Sequence, residues 1–182
     1  MKTLFLSMLL VTSITLNAQI TKGNWMVGGT GSYYNNKAES GSSVSEGTGL
    51  NLSADIGYFP VNKFAIGLAP SIGYSKTKGN RNSNEGFGMG IFGRYYFLKP
   101  ENQINVFSHL EYYTFNNYSG GDKTSNNNGF IIKAGPIIYF NSSVGFELTL
   151  NYENSKINSV NGTDTTFKNF NIGVGFQIHL EK

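Results

Sequence analysis

The sequence predicts an all-β fold: an eight-stranded antiparallel up-and-down transmembrane β-barrel. Apolar residues alternate with small or polar ones along most of the chain, which is the period expected of strands with two unlike faces. The alternating segments are unusually long, and the polar connections between them are alternately long and short. A chain of 182 residues has the length of a single domain.

The N-terminal segment has the layout of a secretory signal peptide. Met1-Lys2-Thr3 gives a short basic start, an apolar run follows from Leu4 to Val11, and the segment ends at Ala18. The apolar run is shorter than the roughly 20 residues that a membrane-spanning helix needs. We therefore expect cleavage between Ala18 and Gln19, with residues 1–18 removed and residues 19–182 forming the barrel domain of an exported protein.

Eight segments with strand-like alternation come after the leader. In the third, Phe64, Ile66 and Leu68 share one face, while Ala65, Gly67 and Ala69 share the other. Soluble strands are usually about five or six residues long, whereas a tilted membrane strand needs about nine to eleven. The predicted segments reach that length: residues 23–34, 48–59, 64–75, 86–98, 104–115, 129–140, 144–154 and 167–180.

The connections between these segments are expected to differ at the two ends of the barrel. The long ones are residues 35–47, 76–85, 116–128 and 155–166, and the short ones are residues 60–63, 99–103 and 141–143. In an up-and-down barrel this order places four long loops at one end and the short turns with both termini at the other. Barrels of bacterial outer membranes have long extracellular loops and short periplasmic turns.

The low charge of the chain is consistent with a face turned toward lipid. Charged residues make up 14% of the sequence, against about 25% in ordinary soluble domains. The two prolines inside predicted strands, Pro70 and Pro136, are expected to mark bulges because each lacks a ladder donor. Aromatic residues are expected to form belts at the two membrane interfaces. The belt at the short-turn end comprises Trp25, Tyr58, Phe59, Phe64, Tyr95, Phe97, Tyr139, Phe140 and Phe176, and the other comprises Tyr33, Tyr74, Phe87, Tyr112, Phe115, Phe130, Tyr152 and Phe170.

The chain resembles small eight-stranded outer-membrane β-barrels of the OmpA/OmpX-like type. The resemblance lies in the leader, in the Gly23-Asn24-Trp25-Met26-Val27-Gly28-Gly29 opening and in the eight alternating strands. The final strand also resembles the C-terminal insertion signal of this class at Asn171, Gly173, Phe176 and Ile178. This likeness implies residence in the bacterial outer membrane among lipid and lipopolysaccharide, and recognition by the barrel-assembly machinery during biogenesis.

Seven ionisable residues fall on the face opposite the predicted lipid face. The interior of an eight-stranded barrel is filled by side chains, so buried charges there must pair. We expect a structural polar network in the lumen, with a conducting pore or a pH-sensitive plug using His109 as the alternative. The network consists of Asp55, Arg94, His109, Glu111, Lys133, Glu147 and Glu153.

No catalytic, cofactor or metal site is predicted. The chain lacks Cys, and its two histidines, His109 and His179, stand 70 residues apart without the spacing of a metal motif. Ser108 neighbours His109, but successive strand residues point to opposite faces. A net charge of +3 without a run of Lys or Arg gives no indication of nucleic-acid binding.

The sequence therefore favours a non-enzymatic role in envelope structure, adhesion or surface interaction through the four long loops, with an unidentified extracellular partner. Lys76, Lys78 and Arg81 make one loop basic, which suits lipopolysaccharide phosphates. A secreted or periplasmic lipocalin-like ligand-binding barrel is the first alternative, since Gly23-Asn24-Trp25 resembles the lipocalin opening. A lipid A-modifying outer-membrane enzyme is the second, and a dependence of lipid A mass on Ser108, His109 or Glu111 would support it.

Overall fold

The computed structural model describes residues 20–40, 43–160 and 162–180, and these form one closed barrel of eight antiparallel strands in sequential order. The predicted fold class is confirmed. The strands are β1 (Trp25–Ser40), β2 (Ser43–Val61), β3 (Phe64–Thr77), β4 (Asn84–Tyr96), β5 (Ile104–Ser119), β6 (Asp122–Tyr139), β7 (Val144–Ser159) and β8 (Thr165–Leu180). The predicted signal peptide and its cleavage site at Ala18 and Gln19 lie outside the described residues, and so does the end of the predicted barrel domain at residues 181–182.

Three of the four expected long loops, residues 35–47, 116–128 and 155–166, are mostly strand, so the prediction of four long loops is wrong. In the fourth, residues 78–83 form the connection between β3 and β4. β1 and β2 pair from Trp25↔Tyr58 to Ser40↔Ser43, and β5 and β6 pair as far as Ser119↔Asp122. Alternation of apolar residues stops near residues 34 and 115 because the outward face no longer meets lipid there. The backbone ladder does not depend on that face, so pairing continues through polar residues. The end with the longer connections therefore carries paired β-hairpins in place of flexible loops.

The described connections between strands range from two residues, 62–63 and 120–121, to seven, 97–103. At the opposite end from these hairpins, Lys63 follows β2 with a φ of 66°, a left-handed conformation that is uncommon for a residue other than glycine. Gly120 and Gly121 link β5 to β6 with φ values of 61° and 94°, which suit glycine. We call the end of the barrel that carries Lys63 the turn end, and the end that carries Gly120 the hairpin end.

Pro70 and Pro136 interrupt pairing without producing the expected bulges. The β2–β3 ladder has no rung between Ser53↔Ser71 and Ile56↔Leu68, and the register is the same on both sides of the gap. The β6–β7 ladder skips the rungs at Gly135 and Pro136 in the same way. Each proline lacks a donor for one bond, but no extra residue is inserted. The register shifts of these sheets lie elsewhere, between Tyr58 and Val61 and between Asn117 and Tyr118.

The barrel closes along a short seam between its first and last strands. β1 pairs with β8 only from Trp25↔Leu180 to Gly29↔Phe176. Glycines crowd the place where pairing stops, with Gly28, Gly29 and Gly31 on β1 and Gly173 and Gly175 on β8. Glycine weakens a strand because it has no side chain to pack and loses much entropy. The barrel wall is thus hydrogen-bonded all the way round at the turn end. Toward the hairpin end, β1 and β8 are not paired with each other.

The large apolar side chains face outward, as expected of a barrel embedded in lipid. Ile91, Ile172 and Val174 are each more than 60% exposed. Inside, apolar and aromatic residues pack near the turn end: Ile20, Met26, Phe59, Ala65, Tyr96, Phe107, Ile137 and Tyr139. Among the described residues, no helix is long and apolar enough to span a bilayer.

Three residues assigned to the aromatic belts point inward, so their assignment is wrong. Phe59 and Tyr139 are fully buried in the lumen, and Phe115 lies against the inner-face glycines Gly86 and Gly88. Phe59 and Tyr139 stand one position from the exposed Tyr58 and Phe140, and Phe115 stands three positions from the exposed Tyr112. An odd separation along a strand turns a side chain to the other face. Trp25, Tyr33, Tyr95, Phe97, Tyr112 and Phe170 are exposed on the outer surface.

Candidate functional site

A cluster of charged side chains fills the middle of the barrel. It comprises Asp55 from β2, Arg94 from β4, His109 and Glu111 from β5, Lys133 from β6 and Glu147 from β7. These residues converge because their strand positions share the inward parity. Arg94 also faces His109, and His109 faces Lys133, as direct cross-strand partners. Six of the seven residues predicted for the luminal network are therefore brought together.

Arg94 is the centre of the cluster and is only 1% exposed. Its Nη1 donates to Glu147 Oε2 at 2.8 Å, its Nη2 donates to Asp55 Oδ2 at 3.1 Å, and its Nε donates to His109 Nδ1 at 3.1 Å. The guanidinium carbon also lies 4.4 Å from the centre of the Phe107 ring. All three guanidinium nitrogens thus have partners, as a buried charge requires.

Lys133 supplies the second cation of the cluster. Its Nζ lies 3.4 Å from Glu111 Oε2 and 3.8 Å from Asp55 Oδ2. Two cationic side chains therefore face the three carboxylates of Asp55, Glu111 and Glu147. Such a network costs desolvation energy, and removing one member would leave its partner charged, buried and unpaired.

His109 is oriented by a hydrogen bond at one ring nitrogen, Nδ1, and by ring stacking. Because Arg94 Nε donates to Nδ1, the neutral ring carries its proton on Nε2, which points at Glu111 Oε2 across 3.5 Å. The ring also stacks on Phe92 with 4.8 Å between centres. Ligand atoms of Asp55, His109 and Glu111 lie within 4.8 Å of one another. A metal ion would need an unprotonated Nε2, so the bond from Arg94 does not favour one at this site.

Beneath the cluster, aromatic and amide groups pack across the turn end of the lumen. Tyr96 donates its Oη hydrogen to Gln177 Oε1 at 2.5 Å, and His179 Nε2 lies 2.9 Å from the same oxygen. The His179 ring contacts the rings of Phe59, Tyr96 and Tyr139 at centre distances of 5.7, 6.2 and 5.6 Å. Alternation had placed Gln177 and His179 on the inner face, but nothing in the sequence identified Tyr96 as their neighbour.

Glu153 is separate from the charged cluster. It lies nearer the hairpin end, where the Tyr113 hydroxyl donates to Glu153 Oε1 and Asn127 Nδ2 donates to the Tyr113 hydroxyl oxygen at 3.2 Å. Tyr113 and Asn127 follow the inward parity of their strands. The sequence therefore predicts that both side chains face the lumen, but it does not predict that they contact each other.

The four residues of the proposed insertion signal lie on two faces of β8. Phe176 and Ile178 are exposed on the outer surface. Gly173 faces inward beside Asn151 and Thr149, and Asn171 accepts a hydrogen bond from Asn151 Nδ2 at 2.9 Å. Phe176 also packs edge-on against Phe146 at 5.3 Å.

The residues considered for catalysis do not converge. Ser108 pairs with Tyr95 and Ala134, which are exposed on the outer face, while His109 is buried in the lumen. Within the part of the chain that the structure describes, no serine joins a histidine and a carboxylate in a relay.

Comparison with known proteins identifies the fold. No protein-family model matches the sequence, and no curated protein matches it. The outer membrane protein OprG from Pseudomonas aeruginosa superposes with a TM-score of 0.54 at 12% identity, over 89% of this chain and 98% of OprG. Neisserial surface protein A (NspA) superposes with a TM-score of 0.54 at 15% identity, over 86% of this chain and 97% of NspA. The chain therefore has the fold of a small outer-membrane β-barrel.

Proposed function

We propose that this protein resides in a bacterial outer membrane, as a non-enzymatic barrel that serves envelope structure and surface interaction. The observation that carries the proposal is that the apolar face of the strands points outward and the charged face points into the lumen. Large apolar side chains such as Ile91 and Ile172 point outward, while Arg94 and its carboxylate partners are buried inside. A lipocalin-like barrel in water would need the opposite arrangement, with its apolar face inside.

The contact with other molecules is assigned to the hairpin end. The β1–β2, β3–β4, β5–β6 and β7–β8 hairpins would stand outside the cell and present polar, largely paired strands. Lys76 and Arg81 are exposed on one of them, and Lys78 beside them is bonded to Glu46 at 2.8 Å. Lipopolysaccharide phosphates would suit this basic group, and an unidentified surface partner would dock on the same hairpins.

Biogenesis would use both ends of the chain. Residues 1–18 would direct export and be cleaved before Gln19. Asn171, Gly173, Phe176 and Ile178 would then be read on β8 by the barrel-assembly machinery. The outward Phe176 and Ile178 and the inward Gly173 present the pattern of that signal on two faces of one strand.

A charge placed on the outer face tests residence in lipid. Ile91→Arg introduces a charge at an outward position that is 61% exposed, which should destabilise a lipid-embedded barrel by about 2–4 kcal/mol if Ile91 lies near the bilayer midplane. Asn128→Arg, outside the apolar band, is the matched control and should change little. The measurement is urea-induced unfolding in phospholipid vesicles.

A second measurement asks whether the mature protein needs amphiphiles at all. Residues 19–182 should remain folded in detergent and aggregate when it is withdrawn. A stable, monomeric protein in plain buffer would contradict the membrane proposal. A filled lumen further predicts no steady conductance in planar bilayers, and stable open currents would support the alternative of a pore controlled at His109.

A further inference from the structure

The half of the lumen nearer the hairpin end contains a polar chamber, distinct from the charged cluster. Three adjoining cavities of about 170, 170 and 260 Å³ follow the inner walls of β1 to β4. The first two share Asn51 and Phe115, and the last two share Tyr34 and Ser75, so the three cavities adjoin one another. We call them together the outer chamber.

Two aromatic rings form flat surfaces in the outer chamber, and glycines make room for them. A Cβ at Gly86 would lie 2.2 Å from the Phe115 ring, and one at Gly88 would lie 2.5 Å from it. On the facing wall, a Cβ at Gly49 would lie 2.2 Å from the Tyr34 ring. Phe115 and Tyr34 therefore pack closely on glycine positions of the wall, and both rings line the chamber.

The polar groups of the outer chamber are amides and hydroxyls. Asn51, Asn84 and Asn117 line it together with Ser53, Ser71 and Ser75. Asn117 Nδ2 donates to Ser125 Oγ at 3.1 Å, and the Thr30 and Ser53 hydroxyls lie 2.9 Å apart. These groups both donate and accept hydrogen bonds and carry no charge.

Among the described residues that line the outer chamber, the ionic side chains, Lys76 and Glu85, lie at its rim. Lys76 is two residues from the outward Tyr74, and Glu85 is two residues from the outward Phe87, so both follow outward parity. Glu153, with Tyr113, lies outside the sets of residues that line the three cavities. The ligand that matches this lining is therefore neutral.

We propose that the outer chamber binds a neutral saccharide. A sugar ring has one apolar face, which stacks on an aromatic ring, and a rim of hydroxyls, which exchange hydrogen bonds with amides. Phe115 supplies the stacking surface, and Asn51, Asn84 and Asn117 supply the bonds. The three adjoining cavities suit a short chain of sugar units, and the packed turn end below prevents onward passage.

The proposal uses the extracellular position of the hairpins from the proposed function, but its test does not depend on the membrane. The mature barrel is folded in a zwitterionic detergent without a sugar headgroup and titrated with maltotriose. Binding is followed by calorimetry and by the NMR signals of the asparagine side-chain amides. We expect saturable binding with a dissociation constant of about 1 mM and shifts confined to chamber residues. Absence of saturable binding would overturn the proposal while leaving membrane residence intact.

Two variants locate the site. Phe115→Leu keeps an apolar side chain but removes the flat ring, and Asn51→Leu removes an amide at nearly constant volume. Each should weaken maltotriose binding about tenfold, equivalent to about 1.4 kcal/mol. Tyr112→Leu, an outward aromatic on the same strand, is the control and should leave binding unchanged. Asn51→Leu is decisive if Phe115→Leu does not fold, because Asn51 is exposed in the chamber and packs against little.

A charged probe decides the chemical class. An oligomer of galacturonic acid of the same length should bind no better than maltotriose. Tighter binding of the acidic oligomer would contradict a neutral ligand. Binding that persists unchanged in Asn51→Leu and in folded Phe115→Leu would contradict the location.

Discussion

The two halves of the barrel interior are built on different principles. At the turn end the ring is closed by β1–β8 pairing, and Arg94, Tyr96 and His179 are buried. Toward the hairpin end the seam is unpaired, and inner-face residues such as Asn51 and Asn171 are exposed. The difference shows that one pattern of alternation can encode both a packed core and an open polar chamber. Side-chain size and charge at the inward positions decide which one forms.

The largest effect is expected from removing Arg94, the cation at the centre of the charged cluster. Arg94→Leu would leave the Asp55 and Glu147 carboxylates buried without a strong partner, and should cost about 3–5 kcal/mol of unfolding free energy. Denaturant unfolding of the detergent-folded barrel measures this cost. Arg81→Leu, an exposed arginine outside the strands, should cost almost nothing. Similar costs for the two variants would mean that the charged cluster does not support the closed half.

The seam can be tested with pairs of cysteines, since the chain contains none. Val27→Cys with Ile178→Cys joins residues that are paired, so it should oxidise readily and add about 2–4 kcal/mol of stability. The comparison pair is Gly31→Cys with Val174→Cys. These positions lie on the same face as Val27 and Ile178, four residues further toward the hairpin end, where β1 and β8 are not paired. That pair should stay reduced, as judged by thiol labelling. Rapid oxidation of the upper pair would show that the seam closes along its length.

Removing one tyrosine hydroxyl from each half of the lumen compares how much a hydrogen bond contributes to stability in the two halves. Tyr96 is fully buried and bonds Gln177, whereas Tyr113 is partly exposed and bonds Glu153. Tyr96→Phe should cost about 1 kcal/mol or more, because the buried Oε1 of Gln177 then loses the Tyr96 donor and keeps His179 Nε2 beside it. Tyr113→Phe should cost less, since water can replace the lost bond. Unfolding midpoints of the two variants give the comparison, and an equal or reversed order would contradict it.

The smallest effect is expected at the exposed rim. Glu46, through a hydrogen bond and its charge, raises the pKa of Lys78 above 10.5. The pair therefore contributes stability below pH 10.5, and the contribution is lost as pH rises through the raised value. Because Lys78 is fully exposed, the change in unfolding midpoint between about pH 7 and about pH 11.5 should barely differ between the wild type and Lys78→Gln. A large difference would mean that this hairpin is more buried than the structure indicates.

The sequence was sufficient for the barrel and its two faces, but it did not define the strand ends. Period-two alternation located all eight strands and gave the inward parity of Asp55, Arg94 and Lys133. It missed the outer parts of the hairpins because polar residues on both faces carry no alternation. It also misassigned Phe59 and Tyr139, near strand ends, and Phe115, where apolar alternation gives way to polar residues within β5.

The contacts within the site depend on register, which a single sequence does not contain. Arg94 meets Glu147 across 53 residues of chain, and Tyr96 meets Gln177 across 81. Such pairs are set by how eight strands are staggered around the barrel, and alternation alone does not fix the stagger. For the same reason, the separation of Glu153 from the other six charged residues could not be foreseen.

The paired hairpins have a consequence for recognition by antibodies and proteases. β5 and β6 remain paired up to Ser119 and Asp122, with one register shift between Asn117 and Tyr118, and Gly120 and Gly121 form the turn at the tip. A protease needs several residues of extended, unpaired chain, and this tip supplies almost none. An antibody would meet a stiff ribbon whose side chains keep a fixed spacing, and a peptide inserted between Gly120 and Gly121 would be displayed from a rigid support.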